Sequence, residues 1–135
     1  MILVEMIAAC NFWYANPDIN ERNFPLSGPA ADVSDILTVS QKDLGGKDMT
    51  TAEIEGDSDR KGYRQATLAE QLAYAKAKWN GKDWVVALGS SWVNPDGGRD
   101  VPFLYEVGGG RRLHLHWGDP EDRWNEDCLF LVVRK

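Results

Sequence analysis

From Val85 to Lys135 the chain is written in short apolar runs cut by turn residues, a code that suits a sheet far better than a helix. Two such runs, Val85–Leu88 and Phe130–Val133, bracket a segment rich in Trp, Gly and short polar residues. Within it Leu113-His114-Leu115-His116-Trp117 alternates strictly, so Leu113, Leu115 and Trp117 share one strand face and the two histidines share the other. A polar turn, Gly118-Asp119-Pro120-Glu121-Asp122-Arg123, then leads to Trp124-Asn125-Glu126-Asp127-Cys128. Buried indoles can hold a framework while the polar groups between them stay outward. The segment reads as a rigid scaffold that presents a surface.

The turns and strands around it follow from residue type. Asn94-Pro95-Asp96-Gly97-Gly98 is a turn, Val101–Val107 a strand, and Gly108-Gly109-Gly110 a sharp reversal. Arg112–Trp117 and Leu129–Arg134 complete an antiparallel set. Pro102 lacks an N–H, which assigns its segment to an edge or a strand start. Ahead of the strands, Thr67–Trp79 is a helix. Thr67 and Glu70 form a capping box, and Leu68, Leu72, Ala75 and Trp79 make one apolar stripe. Asn80-Gly81 ends it. Trp79, Trp84 and Trp92 are expected to pack between helix and sheet, whereas Trp117 and Trp124 flank the polar turn half exposed. The order predicts an α+β fold, a twisted antiparallel sheet against one or two helices.

The first half is less decided. Met1–Cys10 is apolar and begins the fold as a strand or a short helix. Ile36-Leu37 and Val39 fit a short helix that Gly45-Gly46 ends, Thr50-x-x-Glu53 caps another turn, and Gly56–Gly62 reads as an exposed loop. Residues 1–61 thus form an N-terminal extension with helices, and residues 62–135 the core of a single domain. At 135 residues one domain can bury a real core.

A net charge of -6 with scattered basic residues argues against nucleic acid, which needs clustered Lys and Arg. Met1–Cys10 is too short to span a bilayer, is interrupted by Glu5 and lacks a basic leader region. A cytoplasmic address with reduced thiols is the default expectation. Cys10 and Cys128 could pair only if the first strand lay beside the last, and that stays open here.

Three phrases carry a family likeness. Val86-Ala87-Leu88-Gly89-Ser90-Ser91-Trp92 resembles a hydrophobic-strand-Gly-Gly-Ser-Trp element, and Phe130-Leu131-Val132-Val133-Arg134 a closing Gly-Phe-Arg-apolar-Val-Arg strand. Gly62-Tyr63-Arg64-Gln65-Ala66-Thr67-Leu68-Ala69-Glu70-Gln71-Leu72 is similar to the helix phrase of short retroelement-type proteins. Together, over residues 62–135, they resemble the C-type-lectin-like fold, in the branch of formylglycine-generating-enzyme-like domains and the variable proteins of diversity-generating retroelements. Leu129 stands where that family usually has Gly, and Leu131 replaces Arg. The resemblance implies a non-catalytic binding protein whose C-terminal surface is diversified by adenine randomisation. Such changes in an Asn codon reach His, Asp, Arg, Cys and Leu but never Trp, Glu, Gln, Lys or Met. His114, His116, Asp119, Asp122, Arg123, Asn125, Asp127, Cys128 and Leu129 are reachable. Trp117 and Trp124 are not, as befits framework anchors. The expected variable face is therefore His114, His116, Asp119, Asp122, Arg123, Asn125, Asp127 and Leu129, anchored by Trp117 and Trp124, with Asn94, Asp100 and Tyr105 as outlying contributors. The partner would be a protein or a carbohydrate, with the oligomeric state open.

Other chemistries are weaker. His114-x-His116 has a metal-site spacing, and Asp119, Asp122, Glu126 or Asp127 could add a third ligand for a small metal-dependent enzyme. Two exposed histidines on a binding face are the simpler account, and neither metal nor cofactor is expected. Trp124-Asn125-Glu126-Asp127 approximates the Trp-Asn-Asp phrase of calcium-dependent sugar-binding lectins, but Glu126 interrupts it and the partner Glu-Pro-Asn phrase is missing. Cys128 beside an apolar strand is expected to be an inert thiol. Gly108-Gly109-Gly110 before Arg111-Arg112 lacks the following helix that a phosphate loop needs.

Overall fold

Capping chemistry starts the two longer helices. Thr50 and Thr67 each accept from the amide three residues on, while Glu53 and Glu70 reach back to the threonine N–H. The computed structural model describes residues 2–135; Met1, the first residue of the apolar opening stretch, lies outside them. Helix α1 spans Leu3–Ala8, α2 Thr51–Arg60 and α3 Leu68–Ala77. The strands are β1 Tyr14–Ala15, β2 Ile36–Val39, β3 Tyr63–Gln65, β4 Trp84–Val86, β5 Trp92–Val93, β6 Arg99–Val107, β7 Gly110–Trp117 and β8 Cys128–Arg134. They form one sheet in the order β1-β7-β6-β4-β8-β2, with β5 on β6 and β3 on β8. The class is α+β.

Several sequence expectations need correction. The sheet is mixed rather than antiparallel, because β4 runs parallel to β8 (Val85↔Leu129) and β1 parallel to β7. There are three helices among the described residues, not one or two. Ile36–Val39 is a strand, held by four antiparallel pairs to β8 from Ile36↔Val133 to Val39↔Phe130. Residues 56–60, read as loop, continue α2, whose Ile54 and Ser58 are buried. The first 61 residues are no appendage: β1 and β2 form the two ends of the sheet order, and Leu3, Ile19, Phe24 and Ile36 are core residues.

Pro102 is not at an edge either. It sits within β6, between β7 and the end of β4. Gly118 N–H donates to the Arg99 carbonyl, which makes the Pro102–Leu115 pair a non-hydrogen-bonded one. The missing donor therefore faces β4 and costs one ladder bond, at the last pair, where Ala87 N–H still donates to the Pro102 carbonyl. Buried Gln71 of α3 adds a second donor there: its Nε2 gives hydrogen bonds of 3.1 Å to both the Val85 and the Pro102 carbonyls.

Alternation assigns the two faces. Val85, Leu104, Leu113, Leu131 and Val133 pack against α1 and α3. Val86, Val101, Phe103, Phe130 and Val132 pack on the other side with Ile54 of α2, Leu44, Met49 and Trp124. Cys10 belongs to the first core and Cys128 to the second, so the sheet separates the two thiols, and both are unpaired. At the α3 N-terminus, Glu70 receives Arg64 in two contacts of 2.6 and 2.8 Å, plus the Thr67 and Ala31 amides. Burial raises its pKa, but these four donors outweigh burial and hold it at about 2. Gly89 passes so close to the Ala66 carbonyl that a Cβ would collide with it.

Candidate functional site

The hairpin of β6 and β7 is turned by Gly108 and Gly109, both at positive φ, which fixes the β7 register residue by residue. That register sets His114 and His116 on the α2 side of the sheet and Leu113, Leu115 and Trp117 on the α3 side, as the alternation predicts. Trp117, at the strand end, is 73% exposed.

The histidines join a row of rings crossing the sheet. His116 stacks on Trp124 at 4.6 Å and meets Phe103 edge-on at 5.3 Å. Phe103 stacks on Tyr105 at 5.0 Å, and His114 lies 5.5 Å from Tyr14. Trp84 closes the row against Phe103 and is 40% exposed, so it is not the core residue expected of it. Trp79 is: it is buried, with its indole N–H on the Asp83 carbonyl. Trp124 also departs from expectation. It is 3% exposed, donates to Thr51 Oγ1 at 2.8 Å and packs edge-on against Phe130. It acts as a buried post, and a ligand would not touch it.

Strand β1 stops at Ala15; beyond it Asn16 N–H still reaches the Leu113 carbonyl, and Pro17 then offers no donor. Odd-numbered residues of β7 point their backbone polar groups to this edge, so Leu115 and Trp117 are left beyond β1. The two imidazoles partly substitute. His114 Nδ1 accepts from Leu115 N–H at 2.8 Å and from Asn16 Nδ2 at 3.2 Å, so that nitrogen carries no proton. His116 Nδ1 lies 2.9 Å from the Trp117 carbonyl, an acceptor only, so that nitrogen is protonated.

The remaining expected site residues lie in the connection from β7 to β8. Asp119 and Asp122 are structural: Asp119 Oδ1 accepts from Arg99 N–H, and Asp122 Oδ2 accepts from Asp119 N–H. Arg123 is exposed and donates to the Asp48 carbonyl. Asn125 caps its own turn by accepting from Asp127 N–H, and both side chains are exposed. Leu129 is not on the histidine face. It packs with the α3-side core. The ten residues therefore do not form one face: the histidines stand on one side of the sheet, Trp117 and Leu129 on the other, and the acidic residues in the loop.

The alternatives can be placed as well. Among the described residues no group of three or more His, Cys, Asp and Glu side chains is arranged to hold a metal ion. Asn94-Pro95-Asp96 is a turn, closed by Asn94 N–H on the Gly98 carbonyl. Cys128 is buried, and desolvation followed by the nearby Asp127 charge pushes its thiol up to about 11. Gly108–Gly110 is a hairpin turn, and Arg111 beyond it lies over the Trp79 ring. Among the described residues no helix is long and apolar enough to cross a membrane.

Sequence reasoning missed Tyr14, whose ring lies against His114, and Asn16 and Asp18, which line a groove of about 440 Å³ at the β7 edge together with Asp100 and Trp117. The breaker Asn16-Pro17 was the available signal, since it ends β1 where the groove begins. No protein-family model, curated protein or solved structure matches the chain.

Proposed function

We propose that this chain is a non-catalytic ligand-binding protein of C-type-lectin-like architecture, with a C-terminal surface diversified by a retroelement. One contrast carries the reading. In residues 118–127 the chain buries Gly118 and Trp124, while Glu121, Arg123, Asn125, Glu126 and Asp127 project outward. Trp117 stands exposed at the head of the same stretch. Outward polar side chains on a fixed frame suit recognition, and an exposed rigid ring loses little entropy on contact. The pairing of β2 with β8, which brings an early strand against the last one, is a further support for the architecture.

The surface so drawn is smaller than the sequence implied. Its outward residues are Arg123, Asn125 and Asp127 of the loop, with Trp117 exposed where the loop begins. The test is the neighbouring DNA. The reading expects a reverse-transcriptase gene and a near-copy of the segment encoding residues 94–129, differing only at adenines of one copy. A locus with neither would overturn the diversification, and a copy varying chiefly at codons for Trp124 or Phe130 would overturn the assignment of the surface.

A further inference from the structure

The outer edge of β7 is incomplete in a specific way. Of the four backbone groups that Leu115 and Trp117 turn outward, His114 takes the Leu115 N–H and His116 the Trp117 carbonyl. The Leu115 carbonyl and the Trp117 N–H remain, and no described group bonds either. An acceptor on one residue and a donor two residues later is the pattern by which a single residue of a parallel strand bonds its neighbour. β1 sets the direction: it runs parallel to β7 through Tyr14↔Arg112 and Ala15↔Leu113, gives Trp13 N–H to the Arg111 carbonyl and Asn16 N–H to the Leu113 carbonyl, and then turns away at Pro17.

We propose that an extended peptide bearing a basic side chain adds to β7 here, parallel to it and in line with β1. One peptide residue, opposite His116, donates its N–H to the Leu115 carbonyl and accepts from Trp117 N–H. Its own side chain falls on the imidazole side, and its neighbours fall on the side of Trp117 and Asp100. The groove there carries the carboxylates of Asp18 and Asp100, and no cationic side chain lines it. Asp100 gives one oxygen to Asn94 Nδ2 and keeps the other free, and the Trp117 ring stands exposed beside it. Two carboxylates and an indole face select a guanidinium or ammonium group over an anion or an apolar tip. The inference rests on the binding-protein reading and adds a class of partner at the strand edge that ends in Trp117.

The experiment is an amide-resolved NMR titration of the whole chain with an acetylated, amidated Val-Arg-Thr-Arg-Val peptide. Three controls replace both Arg by Glu, replace both by norleucine, or methylate the backbone nitrogen of Thr. Expected are saturable shifts at the Trp117 and Leu115 amides, with binding weakened about threefold by Asp100→Asn. Methylation of the peptide nitrogen should weaken it about fivefold or more. No saturable shift at Trp117, or equal binding by the Glu or N-methyl peptide, overturns the inference. A peptide that fails beside a locus carrying the adenine-variable repeat defeats this inference alone.

Discussion

The two sides of the sheet are closed by different means. On the α3 side aliphatic residues meet two helices, and the buried polar groups Glu70 and Gln71 are tied to backbone on several elements. On the other side α2 and the segment around Met49 cover only part of the sheet, and a row of rings from Trp84 to His116 finishes it. Aliphatic packing with polar groups tied to backbone makes a closed wall. Rings that are half covered make a wall that still has faces and edges to offer. The comparison says which residues belong to stability and which to display, and it can be attacked residue by residue.

The largest effect is expected on the ring side, at its anchor. Trp124→Ala removes a buried indole and its bond to Thr51, and should destabilise by about 4 kcal/mol in chemical denaturation. A loss under about 1 kcal/mol would mean that Trp124 is not the post of that face. Next comes Glu70→Gln, on the helical side, at about 3 kcal/mol. Because the folded-state pKa is held at about 2, against an ordinary 4.5, the carboxylate's contribution is complete above 4.5 and is lost as pH falls toward 2. Wild-type stability should fall through that window, and the Gln variant's curve should be flatter there. His116→Ala should cost about 1 kcal/mol, through its stack on Trp124 and the released Trp117 carbonyl. Trp117→Ala should change stability by less than about 0.5 kcal/mol, since its ring is in solvent. Equal losses at Trp117 and Trp124 would erase the distinction between post and display.

What the sequence made legible was local. The Thr67–Glu70 cap, the apolar stripe of α3, the Asn94–Gly98 turn and the glycine reversal before Arg111 each depend on neighbours a few residues apart. The face assignment of His114 and His116 followed from period two alone. What stayed hidden depends on distant partners. Ile36–Val39 is too short for its pattern to separate strand from helix, and it is a strand because β8 lies beside it. Gly56 with its Asp and Ser neighbours suggests a loop, yet the cap at Thr50 and the burial of Ile54 and Ser58 carry the helix through them. Nothing in Trp84–Val86 announces a parallel partner. The candidate site was half legible for the same reason: its strand could be read, but the docking of β1 on β7, the shielding of Trp124 and the exposure of Trp84 could not.

Gln71 gives the fold one more property. Apolar contact between a helix and a sheet is set by side-chain interdigitation and carries no directional bond of its own. A single carboxamide reaching two carbonyls on adjacent strands adds that direction, because a slide would break both bonds in a dry interior. The helix is keyed to the sheet at one point, and the strand edge that bears Trp117 keeps its place relative to the rest of the chain.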